Sequence, residues 1–144
     1  MKWFVKTLEQ MSGREVLGIL RLREEVFTIG QKCTEPDIDD YDLKSIHLFA
    51  YDNDALVAYL RIYDKNNAKN LGRIVVNPNH QGKGYGRELI KQALSYLQNC
   101  YPEQPVQMSA QYHLEEFYKS LGFVSSGEIY TEAGIDHIFM KLGV

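Results

Sequence analysis

Hydrophobic positions along this chain change their period several times, and the changes mark out an order of elements. Trp3 to Thr7 is a short aromatic and β-branched run that reads as a strand. Ser12-Gly13-Arg14-Glu15 fits a capping box, with Ser12 accepting an early helix N–H and Glu15 reaching back. Val16, Ile19, Leu20, Val26 and Phe27 then share one helical stripe. Arg23 falls on the same stripe, where a buried head group would need a partner. A stem lying along the core with its head in water is the simpler expectation.

Ile46 to Tyr51 and Leu56 to Tyr63 read as two strands of an antiparallel hairpin around Asp52-Asn53-Asp54. Asp64 to Asn70 is a polar connection to a third strand, Leu71 to Val76. The period becomes helical at Leu89, Ile90, Ala93, Leu94 and Leu97, and Pro102 and Pro105 close that helix. Val106 to Ala110 is the next strand, so a strand–helix–strand unit predicts a parallel pair with a right-handed crossover. A short helix near 114–121 ends at Gly122, a suitable C-cap, and strands Ser125 to Tyr130 and Ile135 to Leu142 flank a turn. The expected class is α+β, three layers, with a mixed and mostly antiparallel sheet and helices on both faces.

Composition narrows the function. A length of 144 residues fits one domain, and 44% hydrophobic content can fill its core without staples. The net charge of -3 argues against bulk electrostatic binding of nucleic acid. The chain turns polar at Thr7, too early for a signal peptide, and no apolar run suits a membrane span. A cytoplasmic protein without a membrane partner is expected. Cys33 and Cys100 have no metal-ligand spacing and read as free, mostly buried thiols. The histidines at 47, 80, 113 and 137 are scattered, so no metal is expected.

The most informative stretch is Gln81-Gly82-Lys83-Gly84-Tyr85-Gly86-Arg87, between a strand and a helix. Alternating glycines there expose backbone N–H groups at a helix N-terminus, a setting that favours phosphate or pyrophosphate. A Walker A pattern is absent, and a dinucleotide GxGxxG fails because Arg87 occupies its last position. The pattern Q/R-x-x-G-x-G/A is met by Gln81, Gly84 and Gly86.

With Phe117-Tyr118-x-x-x-Gly122-Phe123 and the element order, that loop resembles the GNAT superfamily of N-acetyltransferases. Arg23-x-x-Val26-Phe27, Gln31-x-Cys33, Asp39-x-x-Asp42, His47-Leu48, Gly72-Arg73, Ala110-Gln111 and Gly134-Ile135-x-His137-x-x-Met140 are similar to its ElaA-like branch. Gly30 stands where that branch usually carries Glu. The resemblance implies that Gln81, Gly82, Lys83, Gly84, Tyr85, Gly86 and Arg87 wrap the pyrophosphate of acetyl-coenzyme A. It also implies that Ile74, Val75 and Val76 hold the pantetheine arm, and that Tyr118 protonates the departing thiolate.

The base stays open among Glu132, His137, His47 and a water chain, because Gly72 to Val76 offers no carboxylate. Arg23, Asp39, Asp42 and Arg73 are the substrate-side candidates. The five acids and no base of Glu35 to Asp42 would attract a cationic amine. The expected activity is acetyl transfer to a primary amine of a small molecule or protein, by direct attack on the thioester. A non-catalytic acyl-coenzyme A-binding regulator and an unrelated nucleotide-binding module are the alternatives. Oligomeric state is not legible, and a homodimer is compatible with the sequence.

Overall fold

A computed structural model describes residues 1–143. The Trp3 run forms β1 (Lys2–Thr7), and the Ser12 capping box starts α1 (Gly13–Arg23). The Ser12 hydroxyl accepts from the Glu15 N–H, while the Glu15 carboxylate accepts from the Ser12 N–H. The stripe then continues as a π-helical turn, Glu24–Gly30, where a plain helix was expected. A widened turn of this kind often accompanies a functional site. The buried positions of α1 are Ile19, Leu22 and Arg23; Val16 and Leu20 are half-buried.

After α2 (Tyr41–Lys44), β2 (Ile46–Asp52), β3 (Ala55–Lys65) and β4 (Ala68–Val76) form an antiparallel meander. The β3–β4 connection is tighter than its polar stretch suggested. Asn66 and Asn67 both take positive φ, which closes a two-residue hairpin and lets both strands run further. Then follow α3 (Tyr85–Cys100), β5 (Val106–Gln111), α4 (Glu115–Lys119), β6 (Phe123–Glu132) and β7 (Ile135–Leu142).

The seven strands form one sheet in the order β1-β2-β3-β4-β5-β7-β6, and β4–β5 is its parallel pair. Alternation along β2 and β3 divides the core between the two faces. Leu48, Ala58, Leu60 and Met140 pack with Leu89, Ile90 and Leu97 of α3. On the other face, Phe49, Tyr59 and Val75 pack with Ile19 and Leu22 of α1. Helices on both faces of a mixed sheet match the sequence expectation. Both cysteines are free, but Cys100 is exposed and Cys33 half-buried rather than core residues. No described helix is long and apolar enough to cross a membrane.

Candidate active site

The cleft begins where β4 and β5 part. They pair only from Lys69 with Val106 to Leu71 with Met108, although β4 runs on to Val76. The register of β4 against β3 also slips here, with Gly72 opposite Arg61 but Val75 opposite Tyr59. One extra residue is therefore accommodated in β4, and Arg73 takes φ +50°. A bulge of this kind interrupts the ladder and bends the strand. The result is a cleft of about 940 Å³, bordered on one side by Ile74, Val75 and Val76.

Glycines shape the cleft's other end. Gly82 and Gly84 have φ +79° and +80°, and the space a Cβ would occupy at either is empty. Gly84 is the N-cap of α3, whose first bond runs from the Glu88 N–H to the Gly84 carbonyl. The N–H groups ahead of that bond have no intrahelical acceptor and sit at the positive end of the helix dipole. Gln81, Gly82, Gly84, Tyr85 and Gly86 line the cleft. Lys83 does not, and Arg87 turns to Ser120 and the Phe117 ring instead.

Tyr118 also lines the cleft, from α4. It is 3% exposed, and its ring meets Phe117 and Phe123 edge-on. Burial pushes its hydroxyl up to about 12, so the proton is retained at neutral pH.

Facing the β4 edge is a polar wall built from β5, β6 and β7. His137 stands opposite Gln111 on β5 and Tyr130 on β6, which places the three on one face. The His137 Nδ1–H donates to the Ile135 carbonyl at 2.7 Å, and Nε2 lies 3.5 Å from Glu132 Oε2. The Ser109 hydroxyl donates to Glu132 at 3.4 Å and is hydrogen-bonded to the Tyr130 hydroxyl.

His47, also a base candidate, is elsewhere. It is buried outside the cleft, its Nε2–H donates to the Asp42 carbonyl, and its Nδ1 accepts from Tyr59. Both nitrogens are occupied, and burial lowers its affinity for a proton.

Arg23 and Asp42, expected at the acceptor, lie behind the cleft. Arg23 is 1% exposed, so its head is in the core rather than in water. It bonds Asp42 at 2.7 and 3.1 Å and Asp37 at 2.8 Å. Burial alone would raise the Asp42 carboxyl, but the Arg23 and Arg61 contacts and the Asp39 N–H hold it at about 2. Asp39 and Arg73 do line the cleft. Asp39 binds Arg61 at 2.6 and 2.9 Å, and Arg73 binds Asp37 at 3.0 Å. Asp37, Asp39 and Asp42 of the acidic segment are thus paired with Arg23, Arg61 and Arg73, while Glu35 and Asp40 are exposed.

A sequence model of the family described as Acetyltransferase (GNAT) domain matches residues 8–144. The chain belongs to the GNAT family. Within it, the chain is of the ElaA-like branch: it is 36% identical over 136 residues to Protein ElaA of Escherichia coli, covering 91% of this chain and 89% of that protein. The crystal structure of that ElaA superposes with a TM-score of 0.92 at 34% identity, over 98% of this chain and 99% of that one. An acyl-CoA N-acyltransferase from Pseudomonas aeruginosa gives 0.92 at 35% identity, over 97% of both chains. A PaiA N-acetyltransferase from Thermoplasma acidophilum, solved with coenzyme A, shares the fold at 0.69 and 15% identity, over 99% of both. GNAT chemistry is acyl transfer from an acyl-coenzyme A.

Three members of this GNAT cleft escaped the sequence reading. Arg61 sits in an apolar strand between Leu60 and Ile62, and an arginine so placed is a signal of a buried ion pair that could have found it. Ser109 and Tyr130 carry no local signature, because β5–β7–β6 pairing alone brings them together.

Proposed function

We propose that this chain is an acetyl-coenzyme A-dependent N-acetyltransferase, one domain over residues 1–144, acting on a primary amine of a small molecule or protein. One observation carries the reading: a bulged strand edge free of its parallel partner, an open glycine turn at a helix N-terminus and a buried tyrosine share one cleft. The PaiA complex with coenzyme A on the same fold supports it.

Acetyl-coenzyme A supplies an acyl carbon activated by a thiol leaving group; the residues bind it, orient it and move protons. Empty space over Gly82 and Gly84 lets a pyrophosphate approach the backbone N–H groups of 82–86. Tyr85, whose hydroxyl donates to Asp52, stands beside that turn. Lys83 and Arg87 add positive charge outside the lining. Ile74 and Val76 take the pantetheine arm as an added strand, with Val75 packed into the core beneath it. An N–H released by the bulge at Arg73 is the donor for the developing oxyanion. Tyr118 Oη gives its proton to the leaving sulfur.

The acceptor enters between the Asp39–Arg73 side and the β5–β7 wall, while Arg23 and Asp42 brace the loop behind. Incubation with acetyl-coenzyme A and a panel of amines, reading thiol release and product mass together, tests this. Equimolar thiol and N-acetylated product is expected. Tight coenzyme A binding with neither would indicate the acyl-coenzyme A-binding regulator, and would overturn the proposal.

A further inference from the structure

We infer that His137 is the base that takes the acceptor's proton, with Glu132 beside it as the carboxylate that draws the acceptor in; this rests on the N-acetyltransfer reading. The two buried histidines of the α1 face differ in one respect. His47 has both ring nitrogens engaged, by Tyr59 and by the Asp42 carbonyl. The His137 Nδ1–H is fixed on the Ile135 carbonyl at 2.7 Å, which leaves the Nε2 lone pair as its exchangeable site. That site is in the cleft, 3.5 Å from Glu132 Oε2.

Glu132 is distinctive among the acids of the cleft. Asp37 and Asp39 are bound by arginines and Glu35 is exposed, whereas Glu132 is paired with His137 and keeps 54% of its side chain exposed. Ser109 donates to the same Glu132 oxygen at 3.4 Å and is itself bonded to Tyr130, so the carboxylate has a second contact beside the ring. The charged group facing His137 is Glu132, from β6. Tyr130 on β6 and Gln111 on β5 face it as neutral groups.

Glu132 therefore has two roles at one spot. It attracts the acceptor's ammonium into the cleft, and it stabilises the imidazolium that forms. One ammonium proton passes to His137 Nε2 and on to solvent, leaving a neutral amine. The N–C bond then forms as the C–S bond breaks. The second nitrogen proton replaces the one that Tyr118 Oη gives to sulfur, so charge and protons balance. The acceptor class is a primary alkyl ammonium, with Asp39 and Arg73 bordering its remaining substituents.

Two variants test the pair. His137→Asn should lower kcat/KM for an acetylated amine about 10²–10⁴-fold and remove its loss on acidification, with coenzyme A affinity unchanged by calorimetry. Glu132→Gln, altering an exposed side chain, covers the case in which the His137 variant folds poorly. It should raise the acceptor KM while coenzyme A affinity stays constant, because the charge that draws the ammonium into the cleft is gone. If the wild type acetylates amines while His137→Asn keeps its rate and pH profile, the base assignment falls and N-acetyl transfer stands. If no amine is acetylated at all, the transfer reading falls. An acceptor KM unmoved by Glu132→Gln overturns the role of the carboxylate.

Discussion

Gln31 and Gln111 exchange two amide hydrogen bonds, of 3.3 and 3.2 Å, although 80 positions separate them in the chain. They tie the residue after the π-helical turn to the end of β5, where β5 has left β4. A hydrogen bond contributes about 1 kcal/mol net, so a clasp of ~2 kcal/mol is weak enough to open as an acceptor enters.

Gln111→Ala should therefore raise hydrogen exchange across residues 26–33 and change the acceptor KM. Affinity for coenzyme A should stay constant by calorimetry. Unchanged exchange in that segment would mean the clasp does not hold it.

Arg23 and Asp42 make a second, stiffer connection, and a pH prediction follows. The Asp42 carboxyl sits at about 2 in the folded chain, below its ordinary 3.8, so the unfolded chain binds its proton more readily. Its contribution, on the order of 2 kcal/mol, is present above pH ~4 and is lost as pH falls toward 2. Asp42→Asn should flatten that part of the urea-stability profile. It should also cost about 3–5 kcal/mol at neutral pH by leaving Arg23 and Arg61 short of a partner.

The glycine turn predicts a binding defect without a folding one. Gly84 has φ +80° with nothing near its Cβ position, so valine there meets backbone strain rather than a packing clash. Gly84→Val should weaken coenzyme A binding sharply while the unfolding transition moves little. Equal affinity in a calorimetric titration would take the turn out of the cofactor site.

Tyr118→Phe keeps the ring between Phe117 and Phe123 and removes one hydroxyl. Turnover should fall about 10²–10⁴-fold with coenzyme A affinity nearly constant. Because burial holds the hydroxyl proton to about pH 12, the wild-type rate should show no alkaline loss from this group below pH ~10. A normal kcat in the variant would return Tyr118 to core packing.

Much of this fold was legible because it is written in local periods. The capping box at Ser12, the α3 stripe ending before Pro102 and the alternation of β2 and β3 are each decided within a few residues. Long-range pairing was not legible. Arg73 takes positive φ without being glycine, and only the slip of β4 against β3 requires it. The ion pairs of the acidic segment were hidden because Arg61 and Arg73, which bind Asp39 and Asp37 respectively, lie on β3 and β4. The Glu132–His137 pair was visible as residue types, but its geometry depends on the β6–β7 register and on the Ile135 carbonyl.

A crystal structure of the coenzyme A complex tests the account most directly. The pyrophosphate should rest on the N–H groups of 82–86, the pantetheine amides should pair with Ile74 and Val76, and the sulfur should lie within hydrogen-bond reach of Tyr118 Oη. Coenzyme A bound away from the β4 edge, or with its sulfur far from Tyr118, would contradict it.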